Sequence, residues 1–283
     1  MSPTRVFALT LLAMLAFAGN SLLCRMALKH TAIDAASFTS IRVVSGAVVL
    51  WILVRLRTGQ GGLLGNWPSA LALVAYAAAF SFSYVSLTAA TGALLLFGAV
   101  QATMVGYGLW TGERLRLRQA AGLLLSLSGL AGLLLPGLSS PPLLGSMLML
   151  SAGVAWGIYT LRGKGRGDPL RVTAGNFMRG IVPVLALSAI TIPNASLDAT
   201  GVALAVASGA IASGLGYAIW YTALPGLKVS SAAVVQLSVP VIAALGGVLL
   251  LDEPLSMRLV VASVAILGGI ALVVVNRQAA TSR

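Results

Sequence analysis

The sequence predicts an all-α membrane protein of ten transmembrane helices, arranged as two inverted five-helix repeats. Three observations predict this fold: the apolar composition, the spacing of the apolar segments, and an internal repeat of charged and aromatic residues. Hydrophobic residues fill 58% of the 283 positions and charged residues only 8%, whereas a soluble domain carries roughly 25% charged residues. So few charges cannot cover a water-facing surface, so lipid must be much of the solvent.

Ten apolar segments of about 20 residues, the length that spans a bilayer as a helix, account for nearly the whole chain. Their apolar character is continuous, whereas the strands of a membrane barrel would alternate. Glycine and proline clusters separate them. The predicted spans are 5–27, 36–56, 67–88, 91–110, 116–136, 142–161, 171–192, 198–223, 230–250 and 257–276.

The distribution of cations predicts the orientation. Ten spans put both termini on one side, and the loops and tails of that side carry thirteen of the eighteen lysines and arginines, against three on the other. Positive residues concentrate in cytoplasmic loops, so both termini are predicted to be cytoplasmic. The formal charge of +12 lies in these short loops, so a nucleic-acid partner is not expected.

The two halves of the chain, 1–138 and 139–283, superimpose with constant offsets. Over the first three helices of each half the offset is 137, which aligns Arg25 with Arg162 and Arg42 with Arg179. After three extra residues in the second half it becomes 140, which aligns Glu113 with Glu253. Because each repeat has an odd number of helices, the halves must be inverted, and transporters built this way bind substrate near the midplane between them.

Four short motifs add to the repeat: Val154-Ala155-Trp156-Gly157, the arginines Arg42 and Arg179, Gly112-Glu113-Arg114 and Asp252-Glu253-Pro254. With these motifs the sequence resembles the EamA-type exporters of the drug/metabolite transporter superfamily, over essentially the whole chain. The first half departs from the family pattern at Ala18-Gly19-Asn20 and at Val100-Gln101, and helices six and eight are similar to those of an aromatic amino-acid exporter. The resemblance implies export of amino acids or related metabolites across a bacterial inner membrane.

Two arginines fall inside predicted spans. Arg42 and Arg179 each lie seven or eight residues into a helix, roughly 10 Å deep at 1.5 Å per residue. Charge inside a membrane is costly and usually functional. Each is predicted to guard a mouth of the pathway or to contact a substrate carboxylate; the alternative is that each caps helix carbonyls or snorkels to the interface.

Aromatic and amide side chains are the remaining candidates for substrate contact. Aromatics recur at a spacing of four, which places them on one face of a helix, and the repeat pairs those of helix three with those of helix eight. Core packing is the alternative. An aromatic wall with a few amides suits an amphipathic zwitterion of amino-acid size. The predicted contacts are Asn20, Tyr76, Phe80, Tyr84, Gln101, Trp156, Tyr159, Tyr217, Trp220, Tyr221 and Gln236, and Asn176 is a further amide within a span.

Several classes of function are disfavoured. One cysteine, Cys24, and one histidine, His30, give no metal cluster, and no cofactor is expected. No acid–base pair lies within a span, so an enzyme is not expected. All six carboxylates lie in loops or at helix ends, which favours facilitated transport over proton coupling. A flippase for a lipid or a lipid-linked metabolite is the alternative function. The chain is expected to act as a monomer, with a dimer as the alternative.

Overall fold

The computed structural model describes residues 2–58, 62–112, 114–137, 140–163, 167–227 and 235–278, with side chains described as far as residue 273. Within these ranges the chain forms ten long helices, two single-turn 3₁₀ helices (Ile192–Asn194 and Leu224–Gly226) and no strand, and each long helix overlaps one predicted span. The helices are α1 Pro3–His30, α2 Ala35–Thr58, α3 Trp67–Tyr84, α4 Ala89–Trp110, α5 Leu117–Leu134, α6 Leu143–Gly163, α7 Pro169–Thr191, α8 (Ala199–Val206, Ala207–Leu215 and Gly216–Ala223, continuous), α9 Ser238–Leu251 and α10 Met257–Gln278.

Local sequence sets where several helices begin. The Asn66 side chain accepts a hydrogen bond from the amide of Ser69, and a proline follows in the first turn of α3. The Asp198 carboxylate likewise accepts from the amide of Gly201 at the start of α8. These short polar side chains satisfy amides that the first helical turn leaves without partners, so the boundaries follow the cap residues.

Large apolar side chains cover the outside of the bundle. Phe7 is 70% exposed, Leu56 80% and Leu249 77%. Seven of the described helices are long and apolar enough to cross a bilayer, and Ser238–Leu251 and Met257–Val273 are shorter apolar helices. An outer surface of this kind is favourable only in lipid, which confirms the prediction of an all-α membrane protein.

Successive helices run in opposite directions. We call the side where α1 begins the near side and the side where it ends the far side. On the near side, the α2–α3 linker bonds to the start of α7, where the Leu64 amide donates to the Arg171 carbonyl at 3.2 Å. On the far side, the α1–α2 linker meets the α7–α8 linker, where the Ser196 amide donates to the Asp34 carboxylate at 2.9 Å. Both contacts require alternating helix directions.

The helices form an inner group of six, two flanking helices, α4 and α9, and a peripheral pair, α5 and α10. The inner helices α1, α2, α3, α6, α7 and α8 pack on one another and enclose the largest buried side chains. Helix α4 packs on α6 and α9, and α5 packs chiefly on α10. The inner group therefore surrounds the predicted substrate contacts of α1, α3, α6 and α8.

The middle of α8, Ala207–Leu215, is wound as a π-helix, a geometry often found at functional sites. Here α8 crosses α2 so closely that a Cβ atom at Gly209 would overlap the carbonyl oxygen of Arg42 and the hydroxyl of Ser45. The wide turn also carries Ser208, whose hydroxyl donates to the Asn20 side chain at 2.7 Å. This segment thus brings α8 into direct contact with two helices of the first half.

Candidate substrate site

An aromatic cluster occupies the centre of the inner helices. Trp156 lies at its middle, with ring centroids 4.7 Å from Tyr76, 5.3 Å from Tyr159 and 5.5 Å from Tyr217, the last pair stacked at 18°. Rings from α1, α3, α6, α7 and α8, and so from both halves of the chain, take part. The cluster comprises Phe17, Tyr76, Phe80, Tyr84, Trp156, Tyr159, Phe177, Tyr217, Trp220 and Tyr221.

The fourfold spacing in the sequence explains how α3 contributes. Tyr76, Phe80 and Tyr84 follow one another by one helical turn, and their rings contact in series at 5.4 and 4.8 Å. All three are buried, Phe80 and Tyr84 completely. Tyr217 and Tyr221 of α8 are related in the same way, with centroids 6.5 Å apart. The structure therefore brings these five predicted residues together with Trp156 and Tyr159.

Arg42 faces this cluster from α2. Its guanidinium carbon lies 4.8 Å from the ring centroid of Phe80 and 5.2 Å from that of Tyr76, within the range of a cation–π interaction. Its Nη2 atom donates to the Tyr76 hydroxyl at 3.0 Å. The side chain is buried, and its Nη1 atom has no hydrogen-bond partner among the described residues. Among the residues that the structure describes, the charge is held by two rings and a hydroxyl, without a carboxylate.

Two asparagines connect the cluster to the surrounding helices. The Asn20 amide donates to the Tyr76 hydroxyl at 3.4 Å. The Asn176 amide donates to the Tyr159 hydroxyl at 3.5 Å, and its oxygen accepts from the backbone amide of Asn66. Both side chains are buried, and an unpaired amide there would be costly. They therefore fix the positions of two cluster hydroxyls.

Three other predicted residues have different surroundings. Gln101 lines a small cavity between α4, α5 and α10. Gln236 precedes α9 and is half-buried. Trp220 contacts the cluster through Phe17, at 6.1 Å, and otherwise packs in an apolar group of α1, α4 and α9. The structure thus brings Asn20 to the aromatic rings and directs Gln101 toward α5 and α10.

Arg179 has a different environment from Arg42. Its Nη1 atom donates to the carbonyl oxygens of Leu64 at 3.0 Å and Gly175 at 2.9 Å. The first carbonyl belongs to the α2–α3 linker and the second to the preceding turn of α7. This is the capping alternative foreseen for the arginines, and it ties α7 to the linker on the near side.

Known proteins with similar sequences or folds agree with this architecture. Residues 143–275 match the model of the EamA-like transporter family. An uncharacterized protein of Pseudomonas aeruginosa is 57% identical over 284 residues, which cover 100% of this chain and 99% of that protein. An uncharacterized transporter of Archaeoglobus fulgidus is 28% identical and covers 88% of this chain and 90% of its own length.

A solved crystal structure of a protein has the same fold. It is 19% identical in sequence, has a TM-score of 0.64, and the match covers 96% of this chain and 98% of that chain. The chain belongs to the EamA-like transporter family. It is therefore a multi-pass membrane transporter of small substrates.

This EamA-type transporter also contains a buried ion pair that sequence reasoning missed. Arg25 of α1 and Glu253, which follows α9, meet on the far side, where Nε lies 2.8 Å from Oε1. Arg25 also donates to the carbonyls of Tyr84 and Val85 at 2.8 and 3.1 Å, and Glu253 accepts from the amide of Ala89 at 2.7 Å. We call these five residues the far-side lock; it joins α1, the α3–α4 turn and the end of α9.

The sequence contained a partial signal for the far-side lock. Arg25 and Glu253 both stood out as charges matched by the repeat, at the ends of spans on the same predicted side. Their pairing required the tertiary structure, because 228 positions separate them. Phe17 and Phe177 were also missed, since single phenylalanines in apolar helices carry no spacing signal. Glu113, the repeat partner of Glu253, lies outside the described residues.

Proposed function

We propose that this transporter exports amino acids with apolar or aromatic side chains, or related small metabolites, across the bacterial inner membrane. The observation that carries the proposal is the aromatic cluster, which is central, built by both halves, and bordered by the hydrogen-bonding groups of Asn20 and Arg42. Small-molecule sites are mostly apolar, with a few convergent polar groups that orient the ligand. An amphipathic metabolite of amino-acid size fits such a lining.

Alternating access is the proposed mechanism. In support, the far side is closed by the far-side lock. The near side carries an open groove of about 460 Å³ between α2, α7 and α8, lined by exposed residues such as Leu56 and Arg57. A transporter whose far side is closed by buried contacts has the form expected of one state in a rocking cycle.

An inverted repeat is part of the proposal. The helix contacts are consistent with this repeat. If each helix is replaced by its counterpart in the other half, α1 by α6, α2 by α7 and so on, the main observed contacts give other observed contacts. Helix α3 packs on α6 as α1 packs on α8, and α4 packs on α6 as α1 packs on α9. The helix pairs α2 and α7, α4 and α9, and α5 and α10 each map onto themselves. This pattern supports a two-fold axis in the membrane plane, and the cation count supports cytoplasmic termini.

Transport is proposed to be facilitated and not driven by protons. None of the acidic residues in the described ranges lies inside a helix: Asp34, Asp168 and Asp198 precede helices, and Asp252 and Glu253 follow α9. Proton carriers in transporters are usually carboxylates or histidines within the membrane. The substrate gradient would then be the driving force. Uphill transport driven by a pH gradient in liposomes would contradict this part.

Uptake into proteoliposomes tests the proposed substrates. Purified protein is reconstituted into vesicles that are loaded with one of the twenty amino acids in unlabelled form, the same amino acid is added outside in radiolabelled form, and entry of the label by counterflow is measured. We expect exchange of phenylalanine, tryptophan, leucine or methionine above the background of protein-free vesicles. No exchange of any amino acid would refute the proposal. Scrambling of a fluorescent lipid in the same vesicles, without amino-acid exchange, would indicate the flippase alternative.

A further inference from the structure

The two arginines that the repeat aligns have opposite hydrogen-bonding states. Arg179 donates from Nη1 to two backbone carbonyls, so that atom is committed to the structure of α7. Arg42 is 2% exposed, and the same atom, Nη1, has no partner among the described residues. A buried guanidinium with an unused donor carries a large desolvation penalty. The hydrogen bond to Tyr76 and the two ring contacts therefore offset only part of this penalty.

The unused donor of Arg42 lies at the edge of the aromatic cluster. Phe80 and Tyr76 lie under the guanidinium, and Tyr76 takes only its Nη2 atom. Arginine binds carboxylates through a fixed fork of N–H groups, and such charge-assisted hydrogen bonds are strong in a low dielectric. A ligand whose apolar body packed against the rings would place a carboxylate at its end next to the guanidinium of Arg42.

An ammonium group would find no ion-pair partner in the same place. The acidic residues of the described ranges lie in linkers or at helix ends, and Glu253 is already paired with Arg25. The polar groups at the cluster are hydroxyls, amides and the positive charge of Arg42, which repels a cation. Recognition at the cluster therefore favours the carboxylate: it offers a charged hydrogen-bond donor for a carboxylate and, among the described residues, no ion-pair partner for an amine.

We infer that Arg42, and not its counterpart Arg179, is the substrate-binding arginine, and that this transporter takes small carboxylates with an aromatic or apolar body whether or not they carry an amino group. This rests on the proposed function and narrows its substrate class. It also supplies a direction: a carboxylate without an amine is an anion, and the inside-negative membrane potential drives anions outward. Export would then need no proton carrier.

Three probes with one phenyl body separate the charges. Phenylalanine has both groups, 3-phenylpropionate only the carboxylate, and phenylalaninamide only the amine. Binding is measured as the rise in thermal-unfolding midpoint of the purified full-length protein. We expect both carboxylates to stabilise the wild type and phenylalaninamide to have no effect. In Arg42→Gln the carboxylates should bind at least about tenfold more weakly, the loss expected for a hydrogen bond to a charged group.

Arg179→Gln is the matched control. The unfolding midpoints of the two variants without ligand also distinguish a ligand-binding arginine from a structural one. Removal of an unpaired buried charge should leave the midpoint of Arg42→Gln unchanged or raised. Arg179→Gln should lower it, because two carbonyls lose their donor, yet keep its affinity for carboxylates. Arg42→Lys retains the charge without the fork and serves as a second variant if Arg42→Gln does not fold.

Several outcomes overturn the inference. Equal stabilisation by phenylalaninamide, or full carboxylate affinity in Arg42→Gln, would show that Arg42 does not select the ligand, even if phenylalanine is transported. Stabilisation by chloride alone that is lost in Arg42→Gln would assign the site to an inorganic anion. Lack of stabilisation by any carboxylate probe also refutes it. Binding of 3-phenylpropionate without any amino-acid exchange would uphold the inference and refute the amino-acid part of the proposed function.

Discussion

The far-side lock should set how often the transporter opens on that side, and substitution of Glu253 by glutamine tests this. The amide keeps the size of the side chain and can still accept from the backbone amide of Ala89. It removes the negative charge that faces Arg25 at 2.8 Å. In the closed state Arg25 would then be a buried charge without a counter-ion, whereas in an open state water would hydrate it.

The size of the effect follows from burial. The Arg25 and Glu253 side chains are 11% and 4% exposed, and removal of one partner from a buried ion pair costs about 3 to 5 kcal/mol. Arg25 keeps the carbonyls of Tyr84 and Val85 as acceptors, so we take the lower end, about 3 kcal/mol. Since 1.4 kcal/mol is a tenfold change, the ratio of closed to open protein should fall about 100-fold.

The chain contains its own reporter of far-side opening. Cys24 is its one cysteine, it is fully buried, and it directly precedes Arg25 of the far-side lock. A membrane-impermeant maleimide added to the far side should alkylate it only after opening. If opening and closing are fast, the labelling rate follows the open fraction, so Glu253→Gln should label about 100-fold faster than the wild type.

Two variants control the experiment. Lys29→Gln removes a cation on the same side that donates to a single carbonyl, that of Leu251, and should label at nearly the wild-type rate. The double variant Arg25→Gln/Glu253→Gln leaves no unpaired charge, so most of the effect should disappear. Labelling of Glu253→Gln within about twofold of the wild type, or a double variant as fast as the single one, would refute the reasoning.

Three further predictions concern packing, the aromatic cluster and pH. Gly209→Val should lower the free energy of unfolding by about 1–3 kcal/mol, the usual cost of overpacking. Gly106→Val, whose Cβ would meet nothing within 4 Å, should have little effect. Thermal unfolding in detergent measures both variants. Trp156→Ala should abolish amino-acid counterflow. Trp110 is 86% exposed at the end of α4, so Trp110→Ala should preserve it. Equal loss in both variants would show that the aromatic cluster does not contact the substrate. Burial alone would raise the pKa of Asp34, but hydrogen bonds from the Ser37 hydroxyl and from backbone amides outweigh it and lower that pKa below its ordinary value. The folded state therefore gains stability from Asp34 above the ordinary pKa of about 3.9 and loses it as the pH falls through the lowered one. Asp34→Ala should cost about 1 kcal/mol at pH 7, as loss of a helix cap does, and the difference from the wild type should shrink below pH 4; a constant difference would contradict the assignment.

The sequence was sufficient for the helices because the membrane imposes a simple rule. A span must be apolar for about 20 residues, and its ends coincide with visible caps and prolines such as Asn66 and Asp168. The faces of α3 and α8 were predictable for a similar reason, since tyrosines one turn apart must share a side. Neither prediction depends on which helices are neighbours in the folded protein.

Features that depend on which helices are neighbours could not be predicted from the sequence. Gln101 is as polar as Asn20, yet α4 directs it toward α5 and α10 and away from the aromatic rings. Arg42 and Arg179 have equivalent sequence positions, but only one is held by carbonyls. The π-helical turn of α8 has no sequence signal beyond several small residues. Rotation of a helix about its axis and the identity of its neighbours decide these cases, and both are tertiary properties.

The contrast between the two halves itself carries information about the transport cycle. Under the proposed two-fold axis, Arg42 and Arg179 occupy equivalent positions at opposite depths of the membrane. Arg179 donates to two backbone carbonyls, whereas the Nη1 atom of Arg42 has no partner among the described residues. Two states of equal geometry would be related by exchange of these roles, so a symmetric sequence need not give a symmetric structure. An inverted-repeat transporter that is closed on one side must hold equivalent residues in different environments, and the difference between Arg42 and Arg179 is of this kind.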